Sequence, residues 1–318
     1  MADELEFGSR DGAVRYPSLM SIGTYIGKKF SEVSANFIGK KIYHYTTSDG
    51  LIGILQNSSI WASNYAFMND PSEITYSINK SKEAIDIARH GRGKIAMIMF
   101  DKLKTELDKE GAWTEYIASF CENGDLLSQW RTYAAGASGY SIEFDADVLN
   151  WNLMDVVGLY KVIYDPKLQI EILTEVCEII ADFIENRFST NGDTVNMLLD
   201  HYANEFVIIF SYLCSRMKHE AYSEEKEWRL VFLKSSGDEK APRFFDDKVH
   251  FRTRGSMIVP YVNIPFDKEI TTHKERYPVR RIIIGPTEHS GIAKKGVELL
   301  CGSIHKDITI VSSSIPAR

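Results

Sequence analysis

Apolar residues recur along this chain at two spacings, one typical of helices and one typical of strands. Apolar side chains three or four residues apart predict amphipathic helices. Alternation of apolar and polar side chains, or a short β-branched run, predicts strands. The predicted helices span residues 18–38, 49–56, 71–89, 93–109, 125–133, 167–189, 193–217 and 289–302. The predicted strands span residues 41–46, 59–63, 115–121, 139–145, 160–164, 226–233, 248–253, 256–264, 280–284 and 307–312.

The order of these elements indicates an α+β fold with a mixed, mostly antiparallel sheet. Strands are spread from one end of the chain to the other, which favours one α+β domain over residues 39–318. The two longest helices follow each other across Asn191-Gly192, so we expect a helical hairpin inserted at about 166–217. Residues 1–38 are expected to be a lead-in and a helix.

Composition and charge narrow the classes of function. The 318 residues carry 37 Lys and Arg against 44 Asp and Glu, a net charge of −7, which gives no general attraction for nucleic acid or an anionic membrane. No apolar run approaches the roughly 18 residues of a transmembrane helix. The polar N-terminus is unlike a signal peptide. We therefore expect a cytoplasmic protein.

Several well-known functional motifs do not occur. The four cysteines are scattered without a C-x-x-C pair, which argues against a zinc knuckle or a thioredoxin-type site. The absence of G-x-x-x-x-G-K-[ST] and G-x-G-x-x-G argues against a P-loop ATPase and a Rossmann dehydrogenase. The absence of G-x-S-x-G argues against a serine hydrolase.

The first candidate site is the tetrapeptide YHYT at residues 43–46. On a strand, His44 and Thr46 point to one face, and Tyr43 and Tyr45 to the other. An imidazole and a hydroxyl on one face can together hold the polar edge of a ligand. The alternative is a buried histidine bonded to a backbone carbonyl.

The second candidate is the polar turn NDPSE at residues 69–73. Asn69 or Asp70 can cap the helix that follows, and Glu73 lies in its first turn near the positive end of the helix dipole. A helix N-terminus also presents N–H groups to anions. A capped helix start and a phosphate contact both remain open.

The third candidate lies around Ser119, Trp130 and Tyr133. A strand, a short helix and a second strand follow one another here, and Trp130 and Tyr133 are three residues apart on one helical face. The two rings suit stacking on a flat ligand and suit core packing equally well.

The fourth candidate is the strand that contains Glu-Trp-Arg at residues 227–229. Alternation places Glu225, Glu227 and Arg229 on one face, and Trp228 on the apolar one. A carboxylate beside a cation on a half-buried strand is costly unless the two are paired. The group is therefore either a structural ion pair or a functional one.

As a set, these motifs resemble a bacterial family of unknown function, DUF2971. The likeness extends over residues 40–315 and brings no settled activity. The motifs that carry it are YHYT at 43–46, GIL at 53–55, NDPSE at 69–73, the SF…W…Y…SIEF segment at 119–144, EWR at 227–229 and IIIGP at 282–286.

The first strand and helix are also more distantly similar to the opening of ADP-ribosyltransferase-like folds. This resemblance implies an ADP-ribosyltransferase-like sheet and NAD as a substrate. It implies a catalytic set of Glu227, His44 and Tyr133, with Glu225 as the alternative carboxylate and Trp130 as the alternative stacking ring. The residues that it implies around NAD are His44, Tyr45, Thr46, Ser119, Trp130, Glu225 and Arg229.

The resemblance also suggests a reaction class. Departure of nicotinamide leaves an oxocarbenium-like ribose, which a nearby carboxylate stabilises. The expected partners are a nucleotide-like small molecule and an acceptor protein or nucleic acid, and no membrane. A role as a bacterial toxin or phage-defence effector is implied only by analogy with related families.

Two other functions remain open. Glu224 and Lys226 fit an E-x-K nuclease pattern, for which Asp70 would supply an earlier metal carboxylate. The main hypothesis needs no metal. Alternatively, the same residues suit a nucleotide-binding sensor without catalysis.

Overall fold

The computed structural model describes residues 39–68, 70, 72–109, 115–134, 139–153, 157–188, 193–233, 248–266 and 277–317. The helix predicted at 18–38 lies outside these residues. The chain divides into two compact units. The described residues of the helical unit fall within 70–109 and 163–220, and those of the sheet unit within 39–68, 115–162 and 221–317.

The elements are numbered in chain order. The strands are β1 (Lys41–Thr46), β2 (Ser59–Asn64), β3 (Glu115–Cys121), β4 (Tyr140–Asp145), β5 (Gly158–Lys161), β6 (Glu227–Leu233), β7 (Val249–Arg254), β8 (Met257–Pro265), β9 (Val279–Ile284) and β10 (Thr309–Ser312). The helices are α1 (Ser48–Asn57), α2 (Ser72–Ala88), α3 (Lys94–Leu107), α4 (Leu127–Tyr133), α5 (Ala146–Leu153), α6 (Pro166–Arg187), α7 (Asp193–Cys214) and α8 (Ser290–Ser303). Two 3₁₀ helices cover Tyr65–Phe67 and Glu220–Glu225.

The predicted α+β class with a mostly antiparallel sheet is confirmed. In the described residues, the sheet has the strand order β10-β9-β4-β1-β3-β2-β8-β7, and β6 pairs with both β3 and β5. β9 and β10 are parallel. The other pairings of described strands are antiparallel.

Strand β3 is the branch point of the sheet. One of its edges pairs with β6 along its whole length, from Glu115 to Cys121. Its other edge pairs with β1 at Cys121 and with β2 at Tyr116 and Ile117. Between these points, residues 118–120 have no β1 or β2 partner among the described pairings. We call this opening the fork.

The two faces of the sheet bury different clusters. Ile42, Phe120 and Trp228 belong to the large core on one face, which we call the core face. Tyr45 and Cys121 belong to a smaller cluster with Trp130. Because side chains alternate along a strand, the smaller cluster lies on the opposite face, which we call the fork face.

The helical unit buries the apolar stripes of the four helices described in it. Asp165 caps α6 by accepting hydrogen bonds from the N–H groups of Lys167 and Leu168, and Pro166 occupies the first turn. The side-chain amide of Gln169 is fully buried and donates to the carbonyls of Ile163 and Lys218. The hairpin predicted at 166–217 thus corresponds to α6 and α7, which belong to one unit with α2 and α3. None of the helices in the described segments is long and apolar enough to span a membrane.

Three local predictions were inaccurate. Helix α5 was missed, although Ala146, Leu149 and Leu153 form a buried stripe. The strand predicted at 160–164 is β5 (Gly158–Lys161), which begins two residues and ends three residues earlier and pairs with β6. The sequence also favours Ser48 or Asp49 as the N-cap of α1, but the cap is Thr47, whose hydroxyl accepts from Gly50 N.

Candidate functional site

His44 lies at the fork, where its ring replaces the missing main-chain pairing. Its Nδ1 is 2.9 Å from the carbonyl oxygen of Ser119, and its ring packs on Phe120 with centroids 5.6 Å apart. Because a carbonyl only accepts, Nδ1 carries the proton and donates it. Nε2 of the neutral ring is then an acceptor.

The environment keeps this imidazole neutral. Burial lowers the pKa of His44 below its ordinary value, the bond to Ser119 opposes that effect, and the positive charge of Arg252 adds to it. The alternative considered from sequence, a histidine bonded to a backbone carbonyl, is therefore what the structure has. The same bond points Nε2 away from Ser119, so the structural role does not exclude a ligand contact.

The lowered pKa of His44 predicts a pH-dependent stability. Below about pH 6.5, the ordinary histidine pKa, His44 binds a proton in the unfolded chain but stays neutral in the folded chain. Falling pH therefore destabilises the wild type through this group, by at most about 1.4 kcal/mol per pH unit. His44→Asn keeps a nitrogen donor for Ser119 but does not titrate. In urea titrations from pH 7.5 to 5.5, we expect the stability advantage of the wild type over this variant to shrink. The surface variant His289→Asn should follow the wild type, and parallel curves for all three proteins would contradict the prediction.

The two other predicted residues of β1 are engaged in the fold. Thr46 is buried under α1, and a Cβ on Gly50 would come within 1.9 Å of its hydroxyl oxygen. The hydroxyl of Tyr45 donates to the carbonyl of Asn123 and accepts from the N–H of Leu126. A ligand contact by either side chain stays a prediction that would require these contacts to rearrange.

Ser119 connects the two faces of the sheet. Its carbonyl accepts from His44, while its side chain lies on the fork face, in register with Arg229 of β6. The Ser119 hydroxyl oxygen is buried and has no hydrogen-bond partner in the described part of the chain. A buried hydroxyl without a partner is unfavourable, so this position suits a polar ligand atom.

Glu227 and Arg229 form a bidentate ion pair on β6. Arg229 Nε donates to Glu227 Oε1 at 2.8 Å, and its Nη2 donates to Oε2 at 3.0 Å. Both residues are buried, and the guanidinium lies 6.0 Å from the centroid of the Tyr65 ring. Each oxygen of a carboxylate can accept more than one hydrogen bond.

The prediction that Glu225 shares a strand face with Glu227 is wrong. Glu225 ends the 3₁₀ helix Glu220–Glu225, and β6 begins only at Glu227. Between them, Lys226 adopts the left-handed conformation with φ 42°. This turn breaks the alternation on which the prediction rested.

His44 and Glu227 lie on strands either side of β3. Tyr43 and Glu227 both pair with Cys121, so their Cα atoms are about 10 Å apart, two strand spacings. The shared register puts Glu227 on the face of Tyr43, the fork face, whereas alternation turns His44 to the core face. The two side chains can therefore meet one ligand only through the fork.

The aromatic residues of α4 differ in their exposure. Trp130 is fully buried, donates through Nε1 to Asp125 at 2.8 Å and contacts the edge of Tyr45. Its ring could stack on a ligand only after leaving this cluster. Tyr133 is half-buried at the margin of the same cluster, and its predicted stacking or catalytic role stays a prediction.

The NDPSE turn is a capped helix start within the helical unit. Asp70 Oδ1 accepts from the N–H and the hydroxyl of Ser72 at 2.9 and 2.6 Å. Glu73 is buried and lies 3.9 Å from Lys218 Nζ. Asn69 lies outside the described residues.

The E-x-K pattern lies at the surface. Glu224 and Lys226 are both exposed, in the turn before β6. Among the described residues, no group of three or more His, Cys, Asp or Glu side chains is placed to hold a metal ion. The nuclease hypothesis therefore has no described metal cluster in its support.

Two residues beside this site were missed from the sequence. They are Arg252 of β7 and Ser63 of β2, and Arg252 donates to the Ser63 hydroxyl at 2.8 Å. Burial is the largest cause that lowers the pKa of His44, the bond to Ser119 opposes it, and the charge of Arg252 lowers the pKa further. A signal was available in the sequence VHFRTR, where His250, Arg252 and Arg254 alternate with smaller or apolar residues.

Comparison with known proteins identifies a family. The family model described as "Protein of unknown function (DUF2971)" matches residues 129–230, which include Glu227 and Arg229 but not His44. No curated protein and no solved structure matches the chain, so the ADP-ribosyltransferase-like fold stays a prediction. The family predicted from the motifs is therefore confirmed over residues 129–230, where the chain is similar to DUF2971.

Proposed function

We propose that the chain binds NAD at the fork and transfers or hydrolyses its ADP-ribosyl group. One observation carries the proposal. Three groups from distant parts of the sequence converge on adjacent strands: the imidazole of His44, the unpartnered hydroxyl of Ser119 and the Glu227–Arg229 pair. The distant resemblance to ADP-ribosyltransferase-like folds supplies the identity of the ligand.

The proposed chemistry needs a carboxylate and a neutral acceptor. The glycosidic bond to nicotinamide breaks with its electron pair leaving on the nicotinamide nitrogen, and positive charge develops on the ribose. The Glu227 carboxylate stabilises that charge. Water or an acceptor group then bonds to the anomeric carbon through an oxygen or nitrogen lone pair and loses its proton to bulk water. His44 Nε2 accepts a hydrogen bond from a ribose hydroxyl and so orients the sugar.

The Arg229 contact fixes the orientation of the proposed catalytic group. Two hydrogen bonds at 2.8 and 3.0 Å hold the carboxylate in one orientation, and charge-assisted pairs of this kind are strong and directional. Glu227 is therefore fixed before the substrate binds, as electrostatic catalysis requires.

Glu227→Gln tests this function. Removing the charge while keeping the shape should reduce NAD cleavage or ADP-ribosyl transfer by about 10²–10³-fold. His44→Asn should raise KM by about two- to tenfold, the loss of one neutral hydrogen bond. Both effects are measured with labelled NAD, by following nicotinamide release and label incorporation into protein or nucleic acid.

The matched control is Glu143→Gln. Glu143 lies on β4 of the same sheet, is equally buried and is paired with Arg281, with Nε and Oε2 3.6 Å apart. It should retain full activity. Wild-type protein that neither binds nor cleaves NAD would overturn the proposal, and so would equal losses in Glu143→Gln and Glu227→Gln.

The Glu227–Arg229 pair also favours a second function, a nucleotide sensor without turnover. A carboxylate already held by an arginine suits ligand positioning as well as catalysis. Wild-type protein that binds NAD tightly, with no nicotinamide release over hours, would support the sensor over the enzyme.

A further inference from the structure

On the fork face, strands β2, β8 and β7 carry cationic and aromatic side chains together. Ser63 pairs with Tyr261, and Trp61 pairs with Asn263. His250 pairs with Tyr261, and Arg252 pairs with Val259. Directly opposed residues share a face, as do residues two apart on one strand. One surface is therefore formed by five side chains, and we call it the β2–β8–β7 surface. Its members are Trp61, Ser63, Tyr261, His250 and Arg252.

Arg252 is the unusual residue of this surface. It is half-buried, its Nη2 donates to Ser63 Oγ at 2.8 Å, and its Nε is buried without a hydrogen-bond partner. Within the described segments, no carboxylate pairs with its guanidinium. Burial lowers the pKa of Arg252, and the neighbouring Arg254 charge lowers it further.

Other arginines of the chain have the partner that Arg252 lacks. Arg89, Arg92, Arg229 and Arg280 each lie within ion-pair distance of a carboxylate. A buried cation without a counter-charge is unfavourable. The natural complement of a guanidinium is a planar or tetrahedral oxyanion, which it binds through two donors.

The Ser63 hydroxyl completes the anion subsite. Its oxygen accepts from Arg252, so its own proton remains a donor. Ser63 is buried. Together the two side chains carry N–H and O–H donors of the kind that an oxyanion accepts.

Aromatic rings continue the surface away from Arg252. Trp61 is 42% exposed, and its ring lies 4.5 Å from that of Tyr261, which in turn stacks on His250 at 5.5 Å. Trp61 and Ser63 are two residues apart, about 7 Å along β2. This distance is comparable to the span between the base and the phosphate of a nucleotide.

We propose that Arg252 and Ser63 bind a phosphate group of a nucleotide whose base stacks on Trp61. The inference rests on the proposed function for the choice of a nucleotide, and it assigns the phosphate subsite of that ligand. Ser63 pairs with Ile117 of β3, directly before the unpaired residues 118–120, so the subsite adjoins the fork. The net charge of −7 favours a small nucleotide over a polyanionic nucleic acid.

Calorimetric titration of the full chain with ADP, AMP and adenosine tests the subsite without requiring turnover. Arg252→Met should weaken ADP binding by about 10- to 100-fold, the loss of a charge-assisted contact, and leave adenosine binding unchanged. Trp61→Ala should weaken both ligands by about tenfold, as loss of one stacked base does. Arg280→Met, which removes an exposed ion-paired arginine from the same sheet, should bind all three ligands as the wild type does.

The outcomes separate this subsite from the proposed reaction. Equal ADP affinity in the wild type and in Arg252→Met overturns the subsite, even if NAD is cleaved. ADP binding that depends on Arg252, without any NAD cleavage, supports the subsite and overturns the enzyme. A short single-stranded oligonucleotide that binds through Arg252 more tightly than ADP would replace the small nucleotide with nucleic acid.

Discussion

Replacing Arg229 with methionine is expected to lower the free energy of unfolding by about 3–5 kcal/mol. Methionine fills much of the same volume, so the change acts through charge more than through packing. Arg229 is fully buried and donates two hydrogen bonds to Glu227. Without it, the buried carboxylate loses this counter-charge, and the desolvation of the anion is offset less.

Urea denaturation of three variants isolates this effect. Arg229→Met alone should show the full loss, whereas the double variant with Glu227→Gln should recover at least half of it, because the unpaired charge is gone. Arg280→Met breaks an exposed pair with Asp145 and should change the free energy by less than about 1 kcal/mol. A double variant that is no more stable than Arg229→Met would show that packing, rather than the ion pair, dominates.

Local patterns in the sequence were sufficient to predict most of the elements. The β-branched run before Gly285 became β9, and the alternating segment that ends at Asp145 became β4. The signal was also present for α5, whose stripe of Ala146, Leu149 and Leu153 was overlooked between two strong strand patterns.

The fork was not predictable from the sequence, because strand pairing is non-local. Nothing in the sequence YHYT indicates that β1 separates from β3 after Tyr43, or that His44 would bond to the carbonyl of Ser119, 75 residues away. Alternation within a strand predicts which residues share a face. It does not predict which face of β1 continues into which face of β6. In the structure, this register places Glu227 and His44 on opposite faces of the sheet.

One feature of the site depends on a single backbone conformation. The left-handed Lys226 ends the 3₁₀ helix and starts β6, which removes Glu225 from the face of Glu227. A lysine carries no marked preference for that conformation, so the break had no sequence signal. Arg252 was overlooked for a different reason: its lack of a carboxylate partner among the described residues is apparent only from the fold.

Replacing Trp130 has the second large expected effect. It decides between the two interpretations of this residue, core packing and stacking on a ligand. Trp130→Ala should lower the free energy of unfolding by about 3–5 kcal/mol, the range for emptying a large buried aromatic site. Trp130 is fully buried, and its indole N–H donates to Asp125. The change therefore leaves both a cavity and an acceptor with one donor fewer.

The Asp125 contacts explain why this loss should extend beyond the cavity. Asp125 also accepts from the Ser313 hydroxyl and from the N–H and hydroxyl of Ser314. Burial raises the pKa of this carboxyl, but the hydrogen bonds outweigh burial and the pKa is lowered overall. Trp130 thus supports the carboxylate that ties residues 313–314 to the start of α4.

Trp130→Phe separates core packing from ligand stacking. Phenylalanine keeps an aromatic ring against Tyr45 but cannot donate to Asp125, so we expect a loss of about 1–3 kcal/mol in stability. If the tryptophan is a core residue, NAD or ADP affinity should be unchanged in the folded Trp130→Phe protein. Trp61→Ala, at an exposed position, should cost about 1 kcal/mol or less in stability. A Trp130→Phe protein of wild-type stability with weakened nucleotide binding would instead establish Trp130 as the stacking ring, and would require α4 to open when the ligand binds.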